Sequence, residues 1–173
     1  MSVATAFQTI GPFWHLLAHP EQADLTRFGA EGEKRILVGR ITDGIGALVP
    51  DAAVELWQAS PASSENFPGW GRARTDANGE YRFITIKPGP VPGRGNSMQA
   101  PHFALTIFAR GILTRLYTRA YFQGEPMNAA DPLLALVEDP ARRATLIAVP
   151  EGGAVWRQDI VLQGKGETVF IEV

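Results

Sequence analysis

Short runs of β-forming residues, each ended by a turn, are the feature that most limits how this chain can fold. Glycine and proline, 18 and 13 of the 173 residues, interrupt the sequence too often for long helices. No β–α–β alternation occurs, so the pattern predicts an all-β, antiparallel β-sandwich of about eight strands. The predicted strands are 35–41, 53–59, 80–86, 103–109, 115–122, 145–149, 154–162 and 167–173.

Helical signals are weak and short. Asp131-Pro132 and Asp139-Pro140 each place an N-cap aspartate before a proline in the first helical position. We therefore expect one or two short helices at these places. Residues 1–34 carry few strand signals and are predicted to form an N-terminal arm that lies over the domain or over a partner, whereas residues 35–173 form the sandwich.

Composition and charge exclude several classes of protein. The chain has no cysteine, which excludes disulfide scaffolds and cysteine-ligated metal sites. Its 16 basic and 18 acidic residues give a net charge of -2, without the basic excess typical of nucleic-acid binding. No apolar run approaches the roughly 20 residues of a membrane span, and no leader segment is apparent. We therefore expect a cytoplasmic protein.

Self-contained catalytic motifs are missing from the sequence. No phosphate-binding loop and no nucleophile elbow occurs. His15 and His19 have the i, i+4 spacing of one helix face, but Pro20 disfavours helical geometry at His19, which argues against a metal site there. His102 stands alone at the start of an apolar run, where a hydrogen-bonded structural histidine is the more common outcome.

Arg110 follows the apolar run 103–109 and precedes Gly111, at the predicted rim of the sheet. The residues alone leave two interpretations open. One is a solvated strand end, and the other is a guanidinium that binds a carboxylate through two parallel hydrogen bonds.

Several motifs occur together, in order and over almost the whole chain, in a way that resembles the intradiol ring-cleavage dioxygenases. They are QTIGPF at 8–13, LWQA at 56–59, GWGR at 69–72, TIKPG at 85–89, APH at 100–102, FARG at 108–111, YTRAYF at 117–122, RRATLIA at 142–148 and QGKGETVF at 163–170. The resemblance is strongest to those members in which an alpha chain pairs with an iron-bearing beta chain.

This resemblance implies a reaction and a cofactor. Members of the family cleave a catechol ring between its two hydroxyl-bearing carbons and insert both atoms of O2. The expected substrate is protocatechuate and the expected product is 3-carboxy-cis,cis-muconate, within aromatic catabolism by the beta-ketoadipate pathway. The implied cofactor is non-haem Fe(III), held in the family by two tyrosines and two histidines.

The iron ligands of the family are largely missing from the matching positions of this chain. Val91 stands where iron-binding relatives have a tyrosine, and His102 and Ala104 stand where they have a His-x-His pair. The 60–69 loop contains no tyrosine. The resemblance therefore implies that this chain has no catalytic residue of its own, binds no metal and leaves Fe(III) to a beta-type partner in an (alpha-beta)n assembly.

The resemblance also implies substrate-binding residues. Thr9, Gly11, Pro12 and Phe13 match a loop that lines the approach to the iron of the beta chain, although related alpha chains carry tyrosine in place of Phe13. Arg110 matches an arginine associated with substrate. For the Gly11-Pro12 pair, a turn that only docks the arm is the alternative interpretation.

Two other functions remain open at this point. One is a non-enzymatic, transthyretin-like binding sandwich, which would need no iron-bearing partner. The other is a stand-alone dioxygenase with an unusual ligand set, which would carry iron on this chain alone.

Overall fold

The computed structural model describes residue 6 and residues 9–172, so Gln8 of the first motif and the end of the last predicted strand lie outside the described residues. In that part of the chain, the strands are β1 Lys34–Thr42, β2 Ala53–Trp57, β3 Trp70–Arg74, β4 Glu80–Ile86, β5 Val91–Pro92, β6 Met98–Gln99, β7 His102–Phe108, β8 Leu116–Phe122, β9 Ile147–Gly152, β10 Val155–Arg157 and β11 Ile160–Val161.

The helices of the described residues are all short. They are α1 Trp14–Leu17, α2 Pro132–Leu136, α3 Pro140–Ala144 and the 3-10 segments Pro20–Ala23 and Pro126–Ala130. The two predicted N-caps are confirmed, because the side chain of Asp131 accepts from the amides of Leu133 and Leu134, and that of Asp139 accepts from Ala141. None of these helices has the length and apolar character needed to cross a membrane.

The predicted all-β architecture is confirmed in outline, but the sheet is mixed. Nine strands pair in the order β4–β1–β10–β9–β8–β7–β2–β3, with β11 beside the end of β1, so that the sheet nearly closes on itself. The predicted fully antiparallel arrangement is wrong, because β1 pairs in parallel with β10 and β11, and β8 pairs in parallel with β9. Strand direction depends on the connections, and the crossover 123–146, which contains α2 and α3, brings β9 in alongside β8.

Two local predictions also differ from the structure. Strand β3 is absent from the predicted strands, and Gly71 within it lets the chain at Gln22 and Leu25 approach closely. Residues 167–172 are not a strand. Thr168 instead makes two local hydrogen bonds with Val161, and Ile171 donates its amide to the carbonyl of Tyr117.

The main hydrophobic core lies inside the sheet and is filled by alternate residues of β1, β2, β4 and β7. Leu25, which precedes β1, is completely buried in this core, and its amide donates to the carbonyl of Ile84 at 2.8 Å. A second, smaller cluster joins Tyr121 of β8 to Leu134 of α2 on the other face of the sheet. Leu25 thus anchors the segment directly before β1 in the core of the domain.

The N-terminal segment also contacts the outer face of β3. The Arg72 guanidinium lies 5.4 Å from the Trp14 ring centre and 5.2 Å from that of Trp70. The same guanidinium donates through Nε to Glu55 of β2 at 3.0 Å. This stack of aromatic rings and a paired cation holds α1 against the sheet.

We predict that Leu25 contributes strongly to stability. Leu25→Ala should lower the free energy of unfolding by about 2–5 kcal/mol, because a cavity would replace a fully buried side chain. Leu136→Ala is the matched control, since that side chain is 81% exposed and its truncation should cost less than about 0.5 kcal/mol. Urea unfolding of both variants measures the difference, and equal losses would contradict this role.

Candidate functional site

A cavity of about 340 Å3 lies where β2 begins and where β3 and β7 end. We call it the Arg110 cavity. The N-terminal segment lines one side of it with Thr9, Gly11 and Pro12, and the sheet supplies Arg110. The structure thus brings together four of the five predicted substrate-binding residues.

Phe13 is the predicted residue that does not line this cavity. It is 69% exposed and lies at the N-cap of α1, directly after the cavity-lining loop. Leu16 and Leu17 of the same helix are also exposed, at 65% and 61%. Phe13, Leu16 and Leu17 therefore form an exposed apolar patch beside the cavity, which we call the α1 patch.

Strand register explains why Arg110 lies next to an acidic residue. Ala53 is opposite Phe108 in the antiparallel pair β2–β7, and continuing that register by two residues places Asp51 opposite Arg110. Arg110 Nε donates to Asp51 Oδ2. The other oxygen of Asp51, Oδ1, is buried without a hydrogen-bond partner in the described structure. Asp51 therefore relies on Arg110 for its charge compensation.

The loop at Gly11 requires glycine. Its φ is +77°, in the left-handed region that other residues adopt only with strain. This conformation turns the chain between Thr9 and Pro12, so that both residues line the same cavity. Gly11-Pro12 thus forms a turn that lines the cavity, and its contact with substrate stays a prediction.

The three positions that match iron ligands of the family converge on one cation, the guanidinium of Arg119. Ala104 lies opposite Arg119 in the β7–β8 pair. Val91 lies opposite Gln99 in the β5–β6 pair, and Gln99 Oε1 accepts from Arg119 Nη1 at 2.6 Å. His102 is on the same strand and the same face as Ala104.

His102 is held as a neutral imidazole. Its Nδ1 lies 2.7 Å from the carbonyl oxygen of Ala100, which can only accept, so Nδ1 carries the proton. Burial, reinforced by the positive charge of Arg119, lowers the pKa of His102 to about 4. The ring packs against Tyr121 with the ring centres 5.2 Å apart. These contacts give His102 a structural role.

The neighbouring tyrosine is held as a neutral phenol. Tyr121 donates its hydroxyl to Asp131 Oδ1 at 3.1 Å and accepts from Arg119 Nη1 at 3.0 Å. Burial raises the pKa of Tyr121 well above its usual value, which keeps the hydroxyl protonated. Tyr81, whose pKa burial also raises, donates to the Gln158 carbonyl at 2.7 Å.

These side chains do not fit a ferric ion. Val91 and Ala104 carry no donor atom, and Arg119 supplies a positive charge where a metal would need negative ligands. Within residue 6 and residues 9–172, no group of three or more histidine, cysteine, aspartate or glutamate side chains could hold a metal ion.

Sequence reasoning missed three residues of these sites. Arg119 was visible in the alternation of Arg115, Tyr117, Arg119 and Tyr121 along one strand, but its partners Gln99 and Tyr121 depend on tertiary pairing. Asp51 and Arg74 both line the Arg110 cavity. No local pattern marks Asp51 or Arg74, because their proximity to Arg110 follows from the pairing of β2 with β3 and β7.

Comparison with known proteins places these sites in context. A family model described as Dioxygenase matches residues 10–164. The chain is 39% identical over 192 residues to the protocatechuate 3,4-dioxygenase alpha chain of Pseudomonas putida, across 97% of this chain and 96% of that one. It is 35% identical over 175 residues to the beta chain from Burkholderia cepacia, across 86% of this chain and 74% of that one.

Solved structures of dioxygenases also match this chain. The dioxygenase domain of a dioxygenase carbohydrate-binding protein fusion from Streptomyces sp. SirexAA-E matches with a TM-score of 0.66 at 27% identity, across 91% of this chain and 97% of that one. Catechol 1,2-dioxygenase from Acinetobacter sp. ADP1 matches with a TM-score of 0.61 at 22% identity, across 80% and 55%, and supports the fold alone.

We predict that His102 makes the protein less stable in acid. Its pKa is lowered in the folded state, so the unfolded chain binds this proton first as the pH falls. The free energy of unfolding should therefore drop by up to about 3 kcal/mol from this residue between roughly pH 6.5 and pH 4. Urea unfolding at a series of pH values measures it.

The matched variants are His102→Gln and His19→Gln, which remove a part-buried and an exposed imidazole respectively. His102→Gln should flatten the stability profile between pH 6.5 and pH 4, whereas His19→Gln, which leaves the His102 ring in place, should retain the drop that His102 causes. Parallel profiles for wild type and His102→Gln would show that His102 is not held neutral by the fold.

Proposed function

The chain belongs to the intradiol ring-cleavage dioxygenase family, and from this membership we propose that it is the alpha-type subunit of a heteromeric protocatechuate 3,4-dioxygenase. With a beta-type subunit that carries non-haem Fe(III), it would cleave protocatechuate with O2 to 3-carboxy-cis,cis-muconate in aromatic catabolism. Location in the cytoplasm remains a prediction.

The side chains around Arg119 are the observation that supports iron binding by the partner rather than by this chain. The match to alpha chains covers nearly the whole length of this chain and of its relatives. At the positions of the family's iron ligands, this chain offers two aliphatic side chains and one neutral histidine whose Nδ1 is already hydrogen-bonded. The ferric ion therefore belongs to the partner in this proposal.

The contribution of this chain is a wall of the substrate site. The Arg110 cavity opens at the surface, where Thr9, Gly11 and Pro12 come from the N-terminal segment and Arg110 comes from the sheet. Arg110 pairs with Asp51 through Nε, and its side chain is 75% exposed. Its terminal nitrogens thus remain accessible to the carboxylate of protocatechuate.

The α1 patch supports docking of a beta-type chain next to this cavity. Three large apolar side chains, Phe13, Leu16 and Leu17, are each more than 60% exposed. Burying them against a partner would remove apolar surface from water and would place the partner beside Thr9 and Pro12. Phe13 would then act in the interface, next to the substrate loop, and the αβ unit would repeat in a larger (alpha-beta)n assembly.

The non-enzymatic alternative, a transthyretin-like binding sandwich, has less support. The family match and the 39% identical relatives are dioxygenases and dioxygenase chains. A stand-alone dioxygenase is disfavoured by the donor set around Arg119, and iron analysis of the chain purified alone decides that case.

Co-expression with a beta-type chain tests the proposed function. We expect a stoichiometric complex that contains one iron per αβ unit and consumes O2 with protocatechuate, whereas this chain purified alone should contain no stoichiometric iron. Native mass measurement and metal analysis give both values. One iron per chain in the isolated protein, or failure to form an active complex, would contradict the proposal.

A second prediction concerns Arg110. In the active complex, Arg110→Ala should lower kcat/KM for protocatechuate by roughly 10- to 100-fold, because it removes a charged donor and leaves the Asp51 carboxylate uncompensated in the cavity. Steady-state kinetics at low and moderate salt measure this effect. An unchanged kcat/KM at both salt concentrations would remove Arg110 from the substrate site.

A further inference from the structure

We infer that Arg74 supplies the uncompensated positive charge of the Arg110 cavity and binds the carboxylate of an anionic aromatic acid there. This inference rests on the proposed function, because it names the residue that distinguishes an aromatic acid from a neutral catechol in that site. It adds to Arg110 a second guanidinium for carboxylate recognition, from a residue outside the motifs that carry the family resemblance.

The arginines around the cavity differ in whether an acidic side chain pairs with them. Three arginines, Arg72, Arg74 and Arg110, lie on this part of the sheet surface, beside two acidic residues. Arg72 pairs with Glu55 of β2 and stacks between two tryptophan rings. Arg110 pairs with Asp51. In the described part of the chain, Arg74 makes no ion pair, so no acidic side chain compensates its positive charge.

The position of Arg74 makes this charge available to a ligand. Arg74 is the last residue of β3, lies opposite Ala53 in the β2–β3 pair and is exposed. Ala53 is also opposite Phe108 in the β2–β7 pair. Arg74 and Arg110 therefore reach the cavity from the two strands that flank β2, with Asp51 between them.

The nearest acidic residue along the chain does not compete for Arg74. Asp76 lies two residues further on, and its Oδ1 accepts from the amides of Asn78 and Glu80, which closes the β3–β4 turn. Asp76 is not within ion-pair distance of Arg74 in the described structure. Asp76 does not line the Arg110 cavity, although it lines an adjoining depression that also includes Asp51, Arg74 and Arg110.

The remaining walls of the cavity match an aromatic ring. Ile10, Pro12 and Trp14 provide apolar surface, and the volume of about 340 Å3 lies at the small end of the range for ligand pockets. An anion placed between two guanidinium groups, only one of which is already neutralised by a carboxylate, gains a net attraction. A single-ring acid meets both requirements, whereas a neutral catechol meets only the apolar one.

Charge-changing variants of the active complex test this inference. Arg74→Gln should raise KM for protocatechuate roughly tenfold with little change in kcat, and the difference should shrink at high salt. KM for catechol, which has no carboxylate, should not change. Arg82→Gln is the matched control, because Arg82 is an exposed arginine of β4 that does not line this cavity.

A double variant separates charge from structure. Adding Asp51→Asn to Arg74→Gln restores one net positive charge to the cavity and should recover part of the lost affinity for protocatechuate. A purely structural role of Arg74 would give no recovery. An active complex in which Arg74→Gln leaves KM for protocatechuate unchanged would overturn the inference while the proposed function stands.

Binding of benzoate to the isolated chain, measured by calorimetry, provides a readout that does not depend on turnover. Arg74→Gln should weaken benzoate binding at least fivefold, and Arg82→Gln should not. The proposed function and the role of Arg74 can thus fail independently. If no active complex forms, the proposed function is wrong, and benzoate binding to the isolated chain still tests the role of Arg74. No detectable benzoate binding, or equal affinity in wild type and Arg74→Gln, would overturn it.

Discussion

The pairing of β2 between β3 and β7 is the constraint on which the rest of the molecule depends. Its register places Arg74 and Phe108 on either side of Ala53 and brings Asp51 opposite Arg110. A shift by one residue would exchange the core-facing Val54 and Leu56 for Ala53 and Glu55. The buried side chains of the strand therefore also determine which charges meet at its end.

The same sheet carries a second set of polar contacts, centred on the guanidinium of Arg119. In the region of Val91, His102 and Ala104, the guanidinium of Arg119 bonds to Gln99 and Tyr121, and Tyr121 bonds in turn to Asp131. The Arg119 guanidinium thus orders the polar side chains of this region. Its positive charge, added to burial, also keeps the adjacent imidazole neutral.

Sequence patterns gave reliable information where the signal is local. Runs such as 80–86 and 103–109 became strands with little change, and both Asp-Pro pairs began helices. The parallel pairings of β1 and β8 and the pairing of Asp51 with Arg110 could not be predicted, because they depend on partners distant along the chain. The cavity-lining loop was found through family resemblance, and only strand register links that loop to Arg74.

The anchoring of the N-terminal segment by Leu25 affects how ligand specificity can vary in this fold. Leu25 fastens the N-terminal segment to the core, but the N-terminal residues that line the cavity precede it by ten or more positions, and Trp14 is held separately by Arg72. Residues 9–13 thus form a cavity-lining segment that is followed by two fixed points, Trp14 and Leu25. Grafting a different 9–13 sequence onto this chain should redesign the wall offered to a ligand while the barrel-like sheet keeps its stability, provided that Trp14 and Leu25 are retained.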